Sequence, residues 1–332
     1  LLSGCQQKQP DAHASTPASP LAPEVSIRTL PLGPPLDAAD MEVSGLAWHG
    51  DTLVVLPQYP SRAASPGTAR LYGLPRAAIE RALASEAPKA IAPIPIPVRT
   101  TGLGQHVPEY EGCEALAFAG GRMYVLVEAR REGAMHSVVL TGEASSLDTL
   151  VVRAGTPHDI PMQATLQNMA YEAAVVWQDT VFAFFEANGA NVNATPQAYR
   201  FNRDAEPVDA LPFPTLEYRL TDATTMDAEG RFWGTNYFYP GERDILHPAT
   251  DSVRVRHAAG TTHRASDVVE RLVEFQYTGT RIVRTDTPPL WLTLGGGTGR
   301  NWEGVARFGN GFLIATDQYP RTMLAYVEHP AL

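Results

Sequence analysis

The sequence is poor in lysine, cysteine and long apolar segments. Two of its 332 residues are lysines, and its formal net charge is −10. Because clustered Lys and Arg bind a nucleic-acid backbone, this balance argues against a nucleic-acid partner. No apolar run approaches the ~20 residues that span a bilayer. Only two cysteines are present, and since the motif around Cys5 gives it another role, Cys113 has no partner and no disulfide is predicted.

Several familiar site motifs are also missing. The sequence has no Gly-x-Ser-x-Gly elbow of a serine hydrolase. Residues 295–299 read Gly-Gly-Gly-Thr-Gly, but without the Lys-Ser/Thr of a P-loop they predict a flexible loop. His247, His257 and His263 are irregularly spaced within residues 241–266, which predicts a solvated insertion rather than a zinc site.

What the sequence does contain is an internal repeat. Five times, a small or acidic residue is followed fourteen positions later by a polar or acidic one. An aromatic residue or Met, a polar turn and a β-rich run lie between them. The pairs are Ser44/Gln58, Glu114/Glu128, Glu172/Glu186, Asp222/Asn236 and Glu303/Asp317. Repeated self-similarity with one hairpin per unit is typical of a β-propeller.

We therefore predict an all-β fold, a single five-bladed β-propeller formed by residues 24–332. Further β-rich segments supply the outer strands, including residues 216–220 for the third blade, and residues 75–84 predict a helix. The last blade runs out of chain before its outer strand, and residues 25–30 can provide it. Such a strand closes the ring and removes an exposed edge.

The repeat also predicts two polar rings around the propeller axis, because a strand, a turn and a returning strand bring residues i and i+14 to the same end of the sheet. The first ring is Ser44, Glu114, Glu172, Asp222 and Glu303, and the second ring is Gln58, Glu128, Glu186, Asn236 and Asp317. Converging carboxylates repel one another by about 4 kcal/mol per pair at ~4 Å. A Ca²⁺ ion bound by the first ring relieves this repulsion, since Ca²⁺ accepts ~6 to 8 oxygen ligands in loose geometry. Alternatively, the acids bond only backbone N–H groups or channel water.

Loops beyond the returning strands repeat a Tyr-Pro step followed by an arginine. Tyr59, Tyr319, Arg62, Arg243 and Arg321 belong to these loops, and Arg131 follows Glu128 closely. We expect these residues to surround the channel mouth and bind an anion, since the guanidinium fork matches phosphate or carboxylate oxygens. The alternative is that each arginine pairs with a local acid and each Tyr-Pro step merely stiffens a turn.

The N-terminal residues suggest a membrane anchor. Leu2-Ser3-Gly4-Cys5 resembles a bacterial lipobox, in which the cysteine thiol is lipidated. Residues 6–23 are rich in Gln, Pro, Ala, Ser and Thr, a composition that cannot bury a core and predicts an extended tether. We expect a lipid-anchored monomer of the bacterial cell envelope. If the source is Gram-negative, the resemblance to such lipoproteins implies the outer membrane.

The motifs that open the repeats resemble those of the calcium-activated apyrases. They include Met41-Glu42-Val43-Ser44, Glu114-Ala115-Leu116-Ala117, Tyr171-Glu172-Ala173-Ala174 and Trp302-Glu303-Gly304-Val305. Apyrases are five-bladed propellers with a central Ca²⁺ that hydrolyse nucleoside di- and triphosphates. The resemblance implies that the first ring matches their metal ligands, with Asp222 in place of the expected Ser. Shorter pieces also resemble phytase-like and esterase-like propeller lipoproteins.

Two classes of function follow from these patterns. One is a Ca²⁺-dependent hydrolase of small phosphate esters or anhydrides, with Glu128, Glu186 or Asp317 as the general base and the mouth arginines stabilising negative charge. The other is a non-catalytic envelope protein whose Ca²⁺ is structural and whose loops bind a ligand or a partner protein. Fold alone does not separate them.

Overall fold

The predicted β-propeller is confirmed by the strand pairing of the computed structural model, which describes residues 21–38, 40–62, 68–100, 107, 109–152, 157–296 and 299–330. Sequence-adjacent antiparallel strands form five units, each starting with one of the repeat hairpins. The innermost strands of successive units pack against one another, and the last packs against the first. The ring is therefore closed.

The first three units follow the chain in simple order. The first contains β3 (Val43–His49), β4 (Thr52–Pro57), β5 (Thr68–Pro75) and β6 (Ile94–Arg99). The second contains β7 (Tyr110–Ala119), β8 (Arg122–Arg131) and β9 (Ala134–Glu143), with β10 (Leu150–Val152) and β11 (His158–Ile160) both paired to β9. The third contains β12 (Tyr171–Trp177), β13 (Thr180–Phe185), β14 (Gln197–Phe201) and β15 (Pro207–Pro212). A parallel pairing of β6 with β10 joins the first two units into one sheet.

The N-terminal strands complete the other two units. The fourth contains β16 (Arg219–Ala223), β17 (Arg231–Phe238) and β18 (Val269–Tyr277), with β19 (Ile282–Arg284) and β20 (Leu290–Leu292) paired to β18. The fifth contains β21 (Trp302–Phe308), β22 (Gly311–Thr316) and β23 (Leu324–Glu328). As predicted, an N-terminal strand, β2 (Ile27–Leu30), is the outer strand of the fifth unit. The short β1 (Glu24–Val25) pairs with β20.

Helices are few and short in the described part of the chain. They are α1 (Arg76–Leu83), α2 (Arg243–Leu246), α3 (Ser252–His257), α4 (Thr261–Arg264) and the 3₁₀ turn Pro240–Glu242. The last four lie in the predicted insertion at 241–266. His263, expected there on a solvated loop, is instead buried, and its ring hydrogen-bonds the Glu24 carboxylate and accepts from the Glu270 N–H. None of these helices is long and apolar enough to cross a bilayer.

The core lies between neighbouring sheets. Phe184 of the third unit, for example, stacks on Phe232 of the fourth with ring centroids 5.2 Å apart, and both rings are fully buried. One predicted strand is wrong: residues 216–220 do not form the outer strand of the third unit. That strand is β15, and part of the predicted segment belongs to β16, the innermost strand of the fourth unit.

Candidate functional site

A β-bulge interrupts each innermost strand at the residue that the repeat singled out. In the first, second, third and fifth units the pairing register skips Ser44, Glu114, Glu172 and Glu303, respectively. In the fourth unit it skips Thr221 and Asp222 together. A bulge leaves its extra residue unpaired and re-aims that side chain. The repeated bulge explains how side chains from separate sheets converge near the axis.

The centre of this arrangement is a cation supplied by the protein itself, Arg219. It is the first residue of β16 and follows Tyr218, whose backbone φ is 75°. Its guanidinium is buried and is hydrogen-bonded to side chains from the third and fifth units and from the insertion. Its acceptors are Glu172 (3.1 and 3.3 Å), Glu303 (3.3 Å), Asn301 (3.2 Å), Glu242 (3.4 Å) and Glu186.

The members of the first ring occupy three different settings. Glu172 and Glu303 bond Arg219, and Glu114 lies close enough to both to feel their charges while accepting from Gln58 at 3.3 Å. Asp222 is tied to the backbone instead. Its carboxyl oxygens accept from the N–H groups of three residues, Leu46 (3.4 Å), Ala223 (2.8 Å) and Val305 (2.7 Å). The Ser44 hydroxyl is buried and has no hydrogen-bond partner in the described part of the chain.

This arrangement does not fit a Ca²⁺ ion. Glu172, Asp222 and Glu303 already accept hydrogen bonds from protein donors, and the Asp222 oxygens are directed to backbone amides of neighbouring sheets. Ca²⁺ needs ~6 to 8 available oxygens. Within the described ranges, no group of three or more His, Cys, Asp or Glu side chains is arranged to hold a metal ion. The guanidinium lies where the sequence predicts the metal.

The second ring is divided between two networks. Glu186 bonds Arg219, Gln58 bonds Glu114, and the Glu128 Oε1 atom is buried without a partner among the described residues. Asn236 turns away. Its amide donates to backbone carbonyls, and its oxygen accepts from Arg271, a fully buried guanidinium that also forms a two-pronged ion pair with Asp251 (2.7 and 3.0 Å).

Burial dominates the acid–base properties of this cluster. It raises the pKa of Glu128 and of Glu186 to about 8, with the charge of Glu172 adding to the effect at Glu128 and the charge of Arg219 opposing it at Glu186. Burial, together with the neighbouring carboxylates, also places the pKa values of Glu114, Glu172 and Glu303 well above their ordinary range. One guanidinium does not neutralise five carboxylates, and the pKa values of about 8 favour a bound proton on Glu128 and on Glu186 at neutral pH.

A pocket of about 400 Å³ opens beside Arg219 at the mouth of the channel. We call it the mouth pocket. Its lining residues are Arg219, Tyr237, Tyr239, Glu242, Gly299, Asn301, Asp317 and Tyr319. The Asn301 amide donates to Asp317 at 2.9 Å and to Glu303, and so links the pocket wall to the acid cluster below. Burial raises the pKa of Asp317 despite the opposing hydrogen bond from Asn301.

Few of the predicted ligand-binding residues meet at this pocket. Tyr319 is part of its wall, but none of the four arginines lines it. Three of them pair with local carboxylates: Arg62 with Glu42, Arg131 with Asp159, and Arg243 with Asp267. Arg62 also stacks on Tyr59, 4.2 Å from the ring centroid. The side chain of Arg321 is exposed.

Sequence reasoning missed Arg219, Asn301, Glu242 and Tyr237. A charge-balance argument would have identified the first of these. The only arginines in the five innermost strands are Arg219 and Arg307, and Arg219 lies at the strand end where the acids were expected to converge. Glu242 comes from the insertion, so no repeat spacing marks it.

No family model matches the sequence, and a search of curated proteins finds no relative. Solved structures of similar overall fold include three sugar-related enzymes. One is a GH130 protein described with hydrolases of β-1,2 mannosidic linkages (12% identity, 96% of both chains, TM-score 0.48). Another is the catalytic domain of a GH62 α-L-arabinofuranosidase from Coprinopsis cinerea (8%, 92% of this chain and 97% of that one, 0.48). The third is a PQQ-bound aldose sugar dehydrogenase from Streptomyces coelicolor (15%, 91% and 97%, 0.45).

Proposed function

We propose that the mouth pocket is the active site of a hydrolase that acts on an uncharged polar substrate such as a glycoside. The observation that carries this proposal is the composition of the pocket: two carboxyl groups, Asp317 and Glu242, share one small cavity with Arg219 and three tyrosines. A concave site of this size, with aromatic walls and a few polar groups, suits a small molecule.

The two carboxyl groups have complementary settings for acid–base catalysis. The raised pKa of Asp317 favours its protonated form, so it is the candidate general acid that protonates the leaving oxygen. Glu242 accepts from Arg219 through Oε1 and leaves Oε2 without a partner among the described residues. It is the candidate general base, taking a proton from the water that adds to the substrate carbon. Glycoside hydrolysis uses such a pair of carboxyl groups.

The charge of the site supports a neutral substrate over a phosphate ester. Arg219 is bonded to four carboxylates, and the paired mouth arginines do not line the pocket. An anion entering here meets the Glu242 carboxylate, and the described residues offer it no free guanidinium, which costs energy in a partly buried site. Hydrolysis of phosphate esters or anhydrides, with Glu128, Glu186 or Asp317 as base, stays a prediction that the same experiment tests.

The tyrosines supply the surface that holds such a substrate. Tyr239 and Tyr319 are 40% and 62% exposed, and Tyr237 is buried. Exposed rings with a hydroxyl at one end pack against the apolar face of a polar compound and hydrogen-bond its edge. A neighbouring cavity of about 680 Å³ shares Gly299 with the mouth pocket and is lined by Val268, Leu294 and Met323, among others. It gives room for the leaving portion of the substrate.

The test is a screen followed by matched variants. The purified protein is assayed with nitrophenyl glycosides, neutral carboxyl esters, nucleotides and phosphate monoesters, each with Ca²⁺ and with chelator. We expect turnover of a neutral substrate in chelator, and a loss of about 10² to 10⁴-fold in Asp317→Asn and in Glu242→Gln. Asp159→Asn is the control, since this carboxylate pairs with Arg131 away from the pocket.

Three results would contradict the proposal. They are activity confined to phosphate compounds, activity that both pocket variants retain, and saturable ligand binding without turnover of any substrate. The last of these would favour the non-catalytic alternative.

A further inference from the structure

The acid cluster around Arg219 carries an inference that does not depend on the proposed activity. Carboxyl groups on the innermost strands of different sheets come together at the axis, where repulsion has to be offset by a cation. Glu172 and Glu303 are contributed by β12 and β21, and Arg219 by β16, which lies between these strands in the ring. The guanidinium therefore bonds across both junctions of the fourth unit.

The arrangement of its N–H donors allows the Arg219 guanidinium to bond the surrounding acceptors without a bound metal ion. All three guanidinium nitrogens are engaged: Nε with Glu186, Nη1 with Glu242 and Asn301, and Nη2 with Glu172 and Glu303. The planar fork presents five donors and never loses its charge at physiological pH. Unlike a bound metal, it cannot dissociate or be removed by a chelator.

We propose that Arg219 takes the place of an axial metal ion, so that this propeller closes its acid ring with a cation built into the chain and binds no structural Ca²⁺. The corollary is that truncating Arg219 creates a divalent-cation site. Truncation frees oxygens of Glu172, Glu186 and Glu303. Glu128, whose Oε1 is already buried without a partner in the described part of the chain, lies close enough to Arg219 to feel its charge. Oxygen ligands of this kind are those that Ca²⁺ prefers.

Arg271 provides a matched control. Its side chain is buried even more completely than that of Arg219, and it also bonds a carboxylate and an amide oxygen, those of Asp251 and Asn236. Among the described residues, however, Asp251 is the one carboxylate that it bonds. Arg271→Ala therefore removes a buried cation without leaving enough oxygen ligands for Ca²⁺.

The experiment combines metal analysis with thermal unfolding. The wild-type protein is expected to contain far less than one Ca²⁺ per chain by elemental analysis, and its melting temperature should be the same in chelator and in millimolar Ca²⁺. Arg219→Ala is expected to melt several degrees lower, to bind one Ca²⁺ by calorimetry and to recover stability as Ca²⁺ is added. Arg271→Ala should be destabilised to a similar degree and should not respond to Ca²⁺.

Each alternative result overturns the inference. Stoichiometric Ca²⁺ in the wild-type protein, or a lower melting temperature in chelator, shows that a metal holds the ring. A folded Arg219→Ala protein that neither binds Ca²⁺ nor is stabilised by it shows that the arginine does not occupy a cation site. If Arg219→Ala does not fold, the wild-type measurements decide the question without it.

Discussion

Glu128 offers the sharpest test of the electrostatics, because its side chain is buried, one of its oxygens has no partner among the described residues, and the charge of Glu172 lies nearby. Glutamine has the same shape and no charge at any pH. We expect Glu128→Gln to make the protein more stable, by an amount that grows as the pH rises.

The magnitude follows from the linkage between proton binding and folding. The pKa of Glu128 rises from its ordinary value of 4.5 to about 8 in the folded protein. Below pH 4.5 the group is protonated in both states and costs nothing. Between these values the folded state retains a proton that the unfolded state releases, so stability falls by up to ~1.36 kcal/mol per pH unit, to a limit on the order of 5 kcal/mol above pH 8. Local relaxation reduces this figure, and we expect a gain of about 1–3 kcal/mol for the variant at pH 8.5.

The assay is urea unfolding followed by tryptophan fluorescence at pH 5, 7 and 8.5. The curves of wild type and Glu128→Gln should nearly coincide at pH 5 and separate progressively at higher pH, with unchanged slopes against urea. Glu86→Gln, an exposed glutamate beyond α1, is the control and should follow the wild type throughout. A constant difference across this range, or a variant less stable at pH 8.5, would refute the reasoning.

Three further predictions concern other parts of the chain. Asp222→Ala leaves three backbone N–H groups in the core without their acceptor, and it should lower the free energy of unfolding in urea by about 3–5 kcal/mol. Asp222→Asn should lower it clearly less, and equal losses in the two variants would contradict this interpretation. Burial opposes ionisation of Asp251, but Arg271 and backbone N–H groups lower its pKa. Asp251→Asn should therefore lose stability at pH 7, and this loss should shrink as the pH falls through the pKa of Asp251 in the folded protein. A loss that does not change with pH argues against the ion pair. Cys5→Ser should abolish lipid incorporation and release the protein from membranes, and an unlipidated wild-type protein would remove the lipoprotein interpretation.

Much of the architecture was predictable because local sequence patterns determine it. Each hairpin carries its own turn residues and apolar alternation, and the spacing of fourteen anticipated the bulged residues from Ser44 to Glu303. The misplaced outer strand of the third unit has a physical cause. Residues 216–220 alternate Leu or Tyr with Glu and Arg, a pattern typical of a half-exposed strand, but in the structure both charged side chains are buried.

The site was less predictable because its contacts are long-range. Spacing showed that Glu172 and Glu303 approach the axis, but it did not show what lies between them. The guanidinium arrives from another strand, after the left-handed backbone turn at Tyr218. Glu242 reaches the pocket from an insertion that belongs to no repeat. A sequence motif can place each of these side chains near the axis, but the residues that they contact are determined only by the packing of the five units.

The N-terminal closure of the fifth unit also bears on when the ring can be completed during synthesis. Ile27 pairs with Val327, so nearly the whole chain separates these two partners. A polypeptide emerging N-terminus first holds its earliest strand unpaired until the last one is available. Such distant pairings slow folding and leave strand edges exposed in the meantime. Completion of the ring during synthesis therefore has to wait for β23, and a chain that stops before this strand leaves β2 without its pairing partner.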